Sequence, residues 1–137
     1  MNSLKIILLL IMMQSVYTNA QDLTDYTWKN RVLILYKNKS NIEEISSAVK
    51  EVKQNNIEFK ERDLLVFIYE DGEFLNTSNK TINLRSPNTL PKSHEGYILI
   101  GKDGSIKLKE LYPINLEHLF NRIDSMPMRK SEMKLNN

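Results

Sequence analysis

The chain is 137 residues long, 41% hydrophobic and 26% charged, with Lys+Arg at 19 against Asp+Glu at 17. That composition suits one globular unit, and its near-neutral balance leaves no electrostatic footprint for nucleic acid. Cysteine is absent, which excludes disulfides, thiolate metal sites, thiol catalysis and a lipid-modified cysteine anchor.

Residues 1–20 read as a secretory signal peptide. Lys5 precedes an unbroken apolar run from Ile6 to Met13, and Thr18-Asn19-Ala20 closes it on a small residue. The run is far shorter than the roughly 20 residues a bilayer-spanning helix needs, so cleavage after Ala20 is favoured over an anchor. The expected product is exported, periplasmic or secreted, starts at Gln21 and has no later membrane span. A lysine-rich, Asn- and Ile-rich composition favours a bacterial source.

Along residues 21–137, residues 31–36 form a continuous apolar run expected to be a central strand covered on both faces. Ser40 with Glu43 makes a capping box, and Ile42, Ile45, Val49 and Val52 then recur at helical spacing, predicting a helix over residues 41–55. Residues 63–69 form a second buried strand, so the two strands and the helix make a parallel, right-handed β-α-β unit. Asp71-Gly72 marks a turn, and residues 73–92 are rich in Asn, Thr, Ser and Pro, with a small hairpin around residues 76–80 or a short helix near Pro87. Residues 97–100 and 105–109 flank the turn Gly101-Lys102-Asp103-Gly104 as an antiparallel hairpin, its second strand wet on the face of Lys107 and Lys109. A last helix spans residues 115–125, Pro127 limits it, and residues 128–137 read as a polar, basic tail. The order β-α-β, variable connection, β-β-α is the plan of a thioredoxin-like α/β core, with a mixed sheet of about four strands and flanking helices. The helix that usually joins its second and third strands is missing.

Four segments carry a family resemblance. Trp28-Lys29-Asn30-Arg31 leads into the first strand and Glu61-Arg62-Asp63-Leu64 into the second. Ile100-Gly-Lys102-Asp103-Gly-Ser-Ile-Lys107 makes the hairpin, and Ile123-Asp124-Ser-Met126-Pro127-Met128-Arg129 with Glu132-Met133 closes the domain. Together they resemble the P-DUDES domain, over about residues 23–133. The resemblance implies a peroxiredoxin-like, thioredoxin-fold domain of unknown function, found in small exported bacterial proteins and in sushi-repeat and matrix-associated extracellular proteins. Such folds carry their reactive cysteine just after the first strand, where a helix N-terminus stabilises the thiolate. Residues 37–41 stand there in this chain, and Ser40 reads as a helix cap rather than a nucleophile.

The remaining chemistry is sparse. His94 and His118 are the only histidines, without further ligands at metal-binding spacing. No G-x-S-x-G elbow occurs. Glu70 and Asp71, adjacent just after a strand, would point apart. Met126, Met128 and Met133 could offer thioethers to Cu(I), but packing of Met126 and Met128 between helix and sheet outweighs that reading. Arg62, Asp63, Asp124 and Arg129 flank buried elements and should pair with one another, with Glu132 meeting Arg62. That cluster reads as a lock holding the C-terminal segment on the sheet edge, ahead of an anion or partner site. Trp28 is expected to be buried beside the first strand. No cofactor or metal is expected, and a monomer is. The function these features favour is a redox-inactive binding module, its partner an unidentified envelope or extracellular protein. The alternative is an enzyme using non-thiol chemistry in a charged Arg/Asp cleft.

Overall fold

The computed structural model describes Asn2, Ser3, Lys5, Ile6 and residues 20–137; the signal-peptide reading falls almost wholly outside that set. In chain order the strands are β1 (Gln21–Asp22), β2 (Arg31–Tyr36), β3 (Leu64–Glu70), β4 (Glu73–Leu75), β5 (Thr81–Ile82), β6 (Leu84–Arg85), β7 (Gly96–Ile100) and β8 (Ile106–Leu111). The helices are α1 (Ile42–Gln54), α2 (Asn56–Glu61), α3 (Leu116–Asp124) and α4 (Pro127–Leu135). The main sheet runs β5-β4-β3-β2-β7-β8, with β2 and β3 parallel and every other neighbouring pair antiparallel.

Period-2 alternation in the central strands creates two cores. Leu33, Leu35, Leu64, Ile68, Tyr97 and Leu99 meet the helices through Ile45, Ala48, Phe59, Leu119 and Ile123. Val32, Ile34, Tyr36, Phe67, Tyr69, Ile98 and Ile100 form the opposite face. With no helix between β3 and β7, that face is closed by Leu23 from the N-terminal segment and Leu90 from the β6–β7 connection, with Tyr26 and Leu84 beside them. β1 and β6 pair in parallel and fasten these two covering segments together. At the β7–β8 crossing, a Cβ on Gly96 would fall inside the backbone carbonyl of Glu110. Only glycine allows that approach.

The β-α-β…β-β-α order stands, but several local expectations change. The sheet has six strands rather than four, because the polar stretch after β3 supplies β4 and β5, joined by a tight turn in which the Asn76 amide donates to Lys80 O at 2.9 Å. The helical stretch after β2 is broken at Asn55 into α1 and α2. The proposed capping box does not form: Asn41 is the N-cap residue, and the Ser40 hydroxyl donates instead to Asn38 Oδ1 at 2.7 Å. Opposite Leu99 and Ile100 of β7 the pairing slips by one residue, from Leu108 to Ile106 of β8, which interrupts the alternation there, and Leu108 packs on the core while Ile106 is exposed. Residues 127–135 are helix α4 rather than a tail, since Pro127 occupies its first turn, where proline's missing N–H costs nothing.

Trp28 is exposed, at 67%, where burial was expected. Its φ is +68° and its amide donates to Lys102 O at 2.6 Å. Tyr26 packs on Phe67 instead, at 5.7 Å between ring centroids.

Candidate functional site

The parallel strands β2 and β3 begin at one pole of the sheet, and there the chain gathers its buried charges. Arg31, the first residue of β2, is 1% exposed. Its Nη1 donates to Arg62 O at 2.9 Å, and its two terminal nitrogens bridge the Glu132 carboxylate at 3.1 and 3.2 Å. Lys102, on the hairpin turn, donates from Nζ to the same carboxylate at 2.6 Å and to Asp63 Oδ2 at 2.8 Å. Asp63 follows α2 at φ +48°, a left-handed step that starts β3 and turns its carboxylate toward the hairpin.

A second knot shares this pole. Arg62 holds Asp124 through Nε and Nη2 at 3.1 and 2.7 Å, takes Glu58 through Nη1 at 2.8 Å, and lies over the Phe120 ring at 4.4 Å. Arg129 donates from Nε to Asp124 Oδ1 at 3.1 Å and from Nη1 to Glu61 O at 2.8 Å. Burial pushes the pKa of Asp124 upward, but hydrogen bonds from Arg62 and Arg129 outweigh it and leave the carboxyl below its ordinary value. Glu132 is likewise lowered, its desolvation overcome by Arg31 and Lys102. The Arg62 guanidinium and Lys102 ammonium are desolvated too, yet their carboxylate partners raise both.

The expected grouping of Arg62, Asp124 and Arg129 is therefore present, and Asp63 joins it through Lys102. Glu132 does not meet Arg62; it meets Arg31 and Lys102. Arg31 is the residue whose role the sequence left unassigned. Its signals were a place in the Trp28–Arg31 segment that carries the family resemblance and a charge opening an otherwise apolar run.

Beside this pole a cleft of about 330 Å³ lies between the β7–β8 turn and the α3–α4 junction. Arg31, Lys102, Lys107 and Arg122 line it with Asp103, Met126, Pro127 and Met128. Asp103 accepts from Lys107 Nζ at 2.9 Å and from the Ser105 amide at 3.0 Å, and these bonds, led by Lys107, lower its pKa to about 2. Met126 is buried in the helix-side core, as the packing reading requires, whereas Met128 is 39% exposed. The helix-free face of the sheet is covered by Leu23 and Leu90 rather than by either methionine.

At the opposite end of β2, where related folds carry a thiol, residues 37–41 close on themselves. Asn38 Oδ1 accepts from both the amide and the hydroxyl of Ser40, at 2.8 and 2.7 Å. The Asn38 amide donates to Asn41 Oδ1 at 2.8 Å, and Asn41 Nδ2 donates to Tyr36 O at 3.0 Å. The Tyr112 hydroxyl donates to that same carbonyl at 2.9 Å. Asn38 Nδ2 also donates outside the loop to the Glu95 carboxylate, at 3.0 and 3.1 Å, so both ends of the Asn38 side chain are engaged and the Ser40 hydroxyl is tied to it. The histidines do not converge: His94 Nε2 lies 2.9 Å from Glu110 O, and exposed His118 lies 3.6 Å from the Glu110 carboxylate. Among the described residues no group of three His, Cys, Asp or Glu side chains is arranged to hold a metal ion, and no helix is long and apolar enough to cross a membrane.

Comparison with known proteins agrees with this geometry. A family model described as a domain of unknown function, DUF4174, matches residues 22–132. Among solved structures, the mitochondrial 2-cys peroxiredoxin of Plasmodium falciparum superposes with a TM-score of 0.53 at 12% identity, over 80% of this chain and 82% of that one. At that identity the likeness is one of fold, and it establishes the thioredoxin-like architecture without a cysteine. No curated protein matches.

Proposed function

The chain belongs to the DUF4174 family, a domain of unknown function that occupies residues 22–132 here, and on that premise we propose that it is a redox-inactive binding module working outside the cytoplasm. The carrying observation is the loop at residues 37–41. A thioredoxin-like fold builds its catalytic position there, and this chain fills it with a closed Asn38–Ser40–Asn41 hydrogen-bond network. The arginines that an Arg/Asp cleft would need for catalysis are engaged as well, Arg62 by Asp124 and Glu58, and Arg129 by Asp124. Paired guanidinium groups have little capacity left for a reacting substrate. The leader pattern of residues 1–20 and the P-DUDES resemblance both support export and a partner in the envelope or extracellular matrix.

The test has two arms. The full chain is expressed in a bacterial host with an outer membrane, and the product is fractionated and weighed; a periplasmic or secreted protein beginning at Gln21 is expected. That product, used as bait against a native envelope extract, should capture a partner that free protein competes away and that is recovered chemically unchanged. It should consume peroxide no faster than buffer does. Retention of residues 1–20 in the cytoplasm overturns the localisation, and conversion of the captured molecule into product replaces the binding module with an enzyme.

A further inference from the structure

The cleft beside Arg31 lies at the pole of the sheet opposite residues 37–41 and takes no part in the closed loop there. Its cations are unequal. Lys102 is paired with Asp63 and Glu132, and Lys107 with Asp103. Arg122 has no carboxylate among the described residues; only its Nε is used, donating to Lys107 O at 3.3 Å, so its terminal nitrogens remain available. Arg31 contributes a second irregularity. It is 1% exposed and lines the cleft, yet its Nε is the one buried side-chain nitrogen or oxygen among the described residues without a hydrogen-bond partner. Glu132 and Arg62 O occupy only the terminal nitrogens. Buried donors are ordinarily satisfied, so an orphan beside a cleft marks where an acceptor belongs.

A third source of positive potential comes from the backbone. Helix α4, nine residues long, starts at Pro127 on the cleft wall, and its N-cap Met126 makes no side-chain cap. The amides of Met128 and Arg129 thus receive no capping side chain, at the positive end of the helix dipole. Met126 and Met128 supply apolar surface next to them. We propose that this cleft binds a small molecule bearing one oxyanion group, a carboxylate or phosphate, and that the anion meets Arg122 and the α4 N-terminus beside Arg31. The methionines take the ligand's short apolar portion. About 330 Å³ is the lower end of the range for small-molecule sites, so the ligand is a small organic acid or phosphate ester rather than a nucleotide.

This inference gives a ligand class to the binding-module reading and rests on it, but the two fail separately. The purified protein, labelled with 15N, is titrated with sodium hexanoate, sodium acetate and inorganic phosphate while its amide resonances are followed. Saturable shifts of the Met128 and Arg129 amides are expected with a Kd of about 1 mM, tighter for hexanoate than for acetate. Arg122→Ala should weaken binding about tenfold, the loss of one charge-assisted contact, while Lys130→Ala, an exposed cation on the same helix, leaves it unchanged. Preference for phosphate over hexanoate keeps the site and identifies a phosphate as its natural anion. Absence of saturation for all three probes, or equal affinity in Arg122→Ala, overturns the proposal; partner capture that survives Arg122→Ala shows that the binding-module reading stands without it.

Discussion

Glu132→Ala is the sharpest perturbation of the pole that β2 and β3 share. The glutamate is 22% exposed and serves Arg31 at 1% and Lys102 at 9% exposure, with Arg129 Nη1 a third cation 3.7 Å away. Removing one partner of a buried pair costs about 3–5 kcal/mol. Arg31 keeps its bond to Arg62 O and Lys102 keeps Asp63, so the lower end applies, about 3 kcal/mol. At about 4 °C per kcal/mol for a chain of this size, the thermal midpoint should fall by roughly 12 °C at pH 7. The dependence on pH is equally specific. Because the folded pKa of Glu132 is lowered, its contribution is complete above the ordinary glutamate range and is lost as pH falls through the folded value. Wild type and Glu132→Ala should therefore differ most near neutrality and converge in acid. Glu132→Gln, which keeps the shape and one acceptor, should lose about half as much. Urea unfolding followed by far-ultraviolet circular dichroism at several pH values measures all three proteins. A loss under about 1 kcal/mol at pH 7, the size of an exposed pair, or a difference that does not change with pH, would refute the buried-clamp account.

Truncation after Ser125 removes α4 with Arg129 and Glu132 and should leave the chain unfolded or lower its midpoint beyond that of Glu132→Ala. Truncation after Lys134 removes only Leu135, 86% exposed, and two asparagines, and should change stability by less than about 0.5 kcal/mol. Equal melting of the two truncated forms would show that α4 is not part of the folded unit. Trp28→Ala should likewise be within about 0.5 kcal/mol of wild type, and Trp28→Gly should stabilise by up to about 1 kcal/mol by relieving the left-handed backbone; a large loss in either, read by circular dichroism, contradicts an exposed indole. Gly96→Ala places a methyl group on the Glu110 carbonyl and should cost about 3 kcal/mol or more in the same assay.

The layers were legible where hydrophobic pattern alone decides them. The apolar runs that became β2 and β3, the spacing of Ile45, Val49 and Val52, and the Asp-Gly turn of the hairpin each carry a local signal strong enough to survive tertiary context, whereas Ile42, read on the same stripe, is exposed. Among the short strands in polar sequence, the hairpin around residues 76–80 was legible as one of two alternatives and is present as β4 and β5, whereas β6 was not, because a two-residue strand is stabilised by the strand it joins. Ser40 misled because Asn38 competes for the same hydroxyl, a choice between two local hydrogen bonds that spacing cannot rank. Trp28 misled because burial was inferred from its place beside an apolar strand, while Leu23 and Tyr26 of the same segment take the apolar positions there. The charges around Arg62 could be anticipated as a paired group, since unpaired burial is prohibitive. Which cation met which carboxylate depended on helix α4, whose proline start looked like a stop.

The bond between Arg31 and Glu132 joins residues 101 positions apart. Until helix α4 docks, the Arg31 guanidinium at the head of β2 lacks its carboxylate partner, and burying it there is unfavourable. The contact therefore makes the dry start of β2 conditional on the docking of a helix from the far end of the fold. Closing so long a loop is entropically costly and falls late in assembly. Substitution of Glu132 should thus accelerate unfolding while leaving the refolding rate nearly as it was.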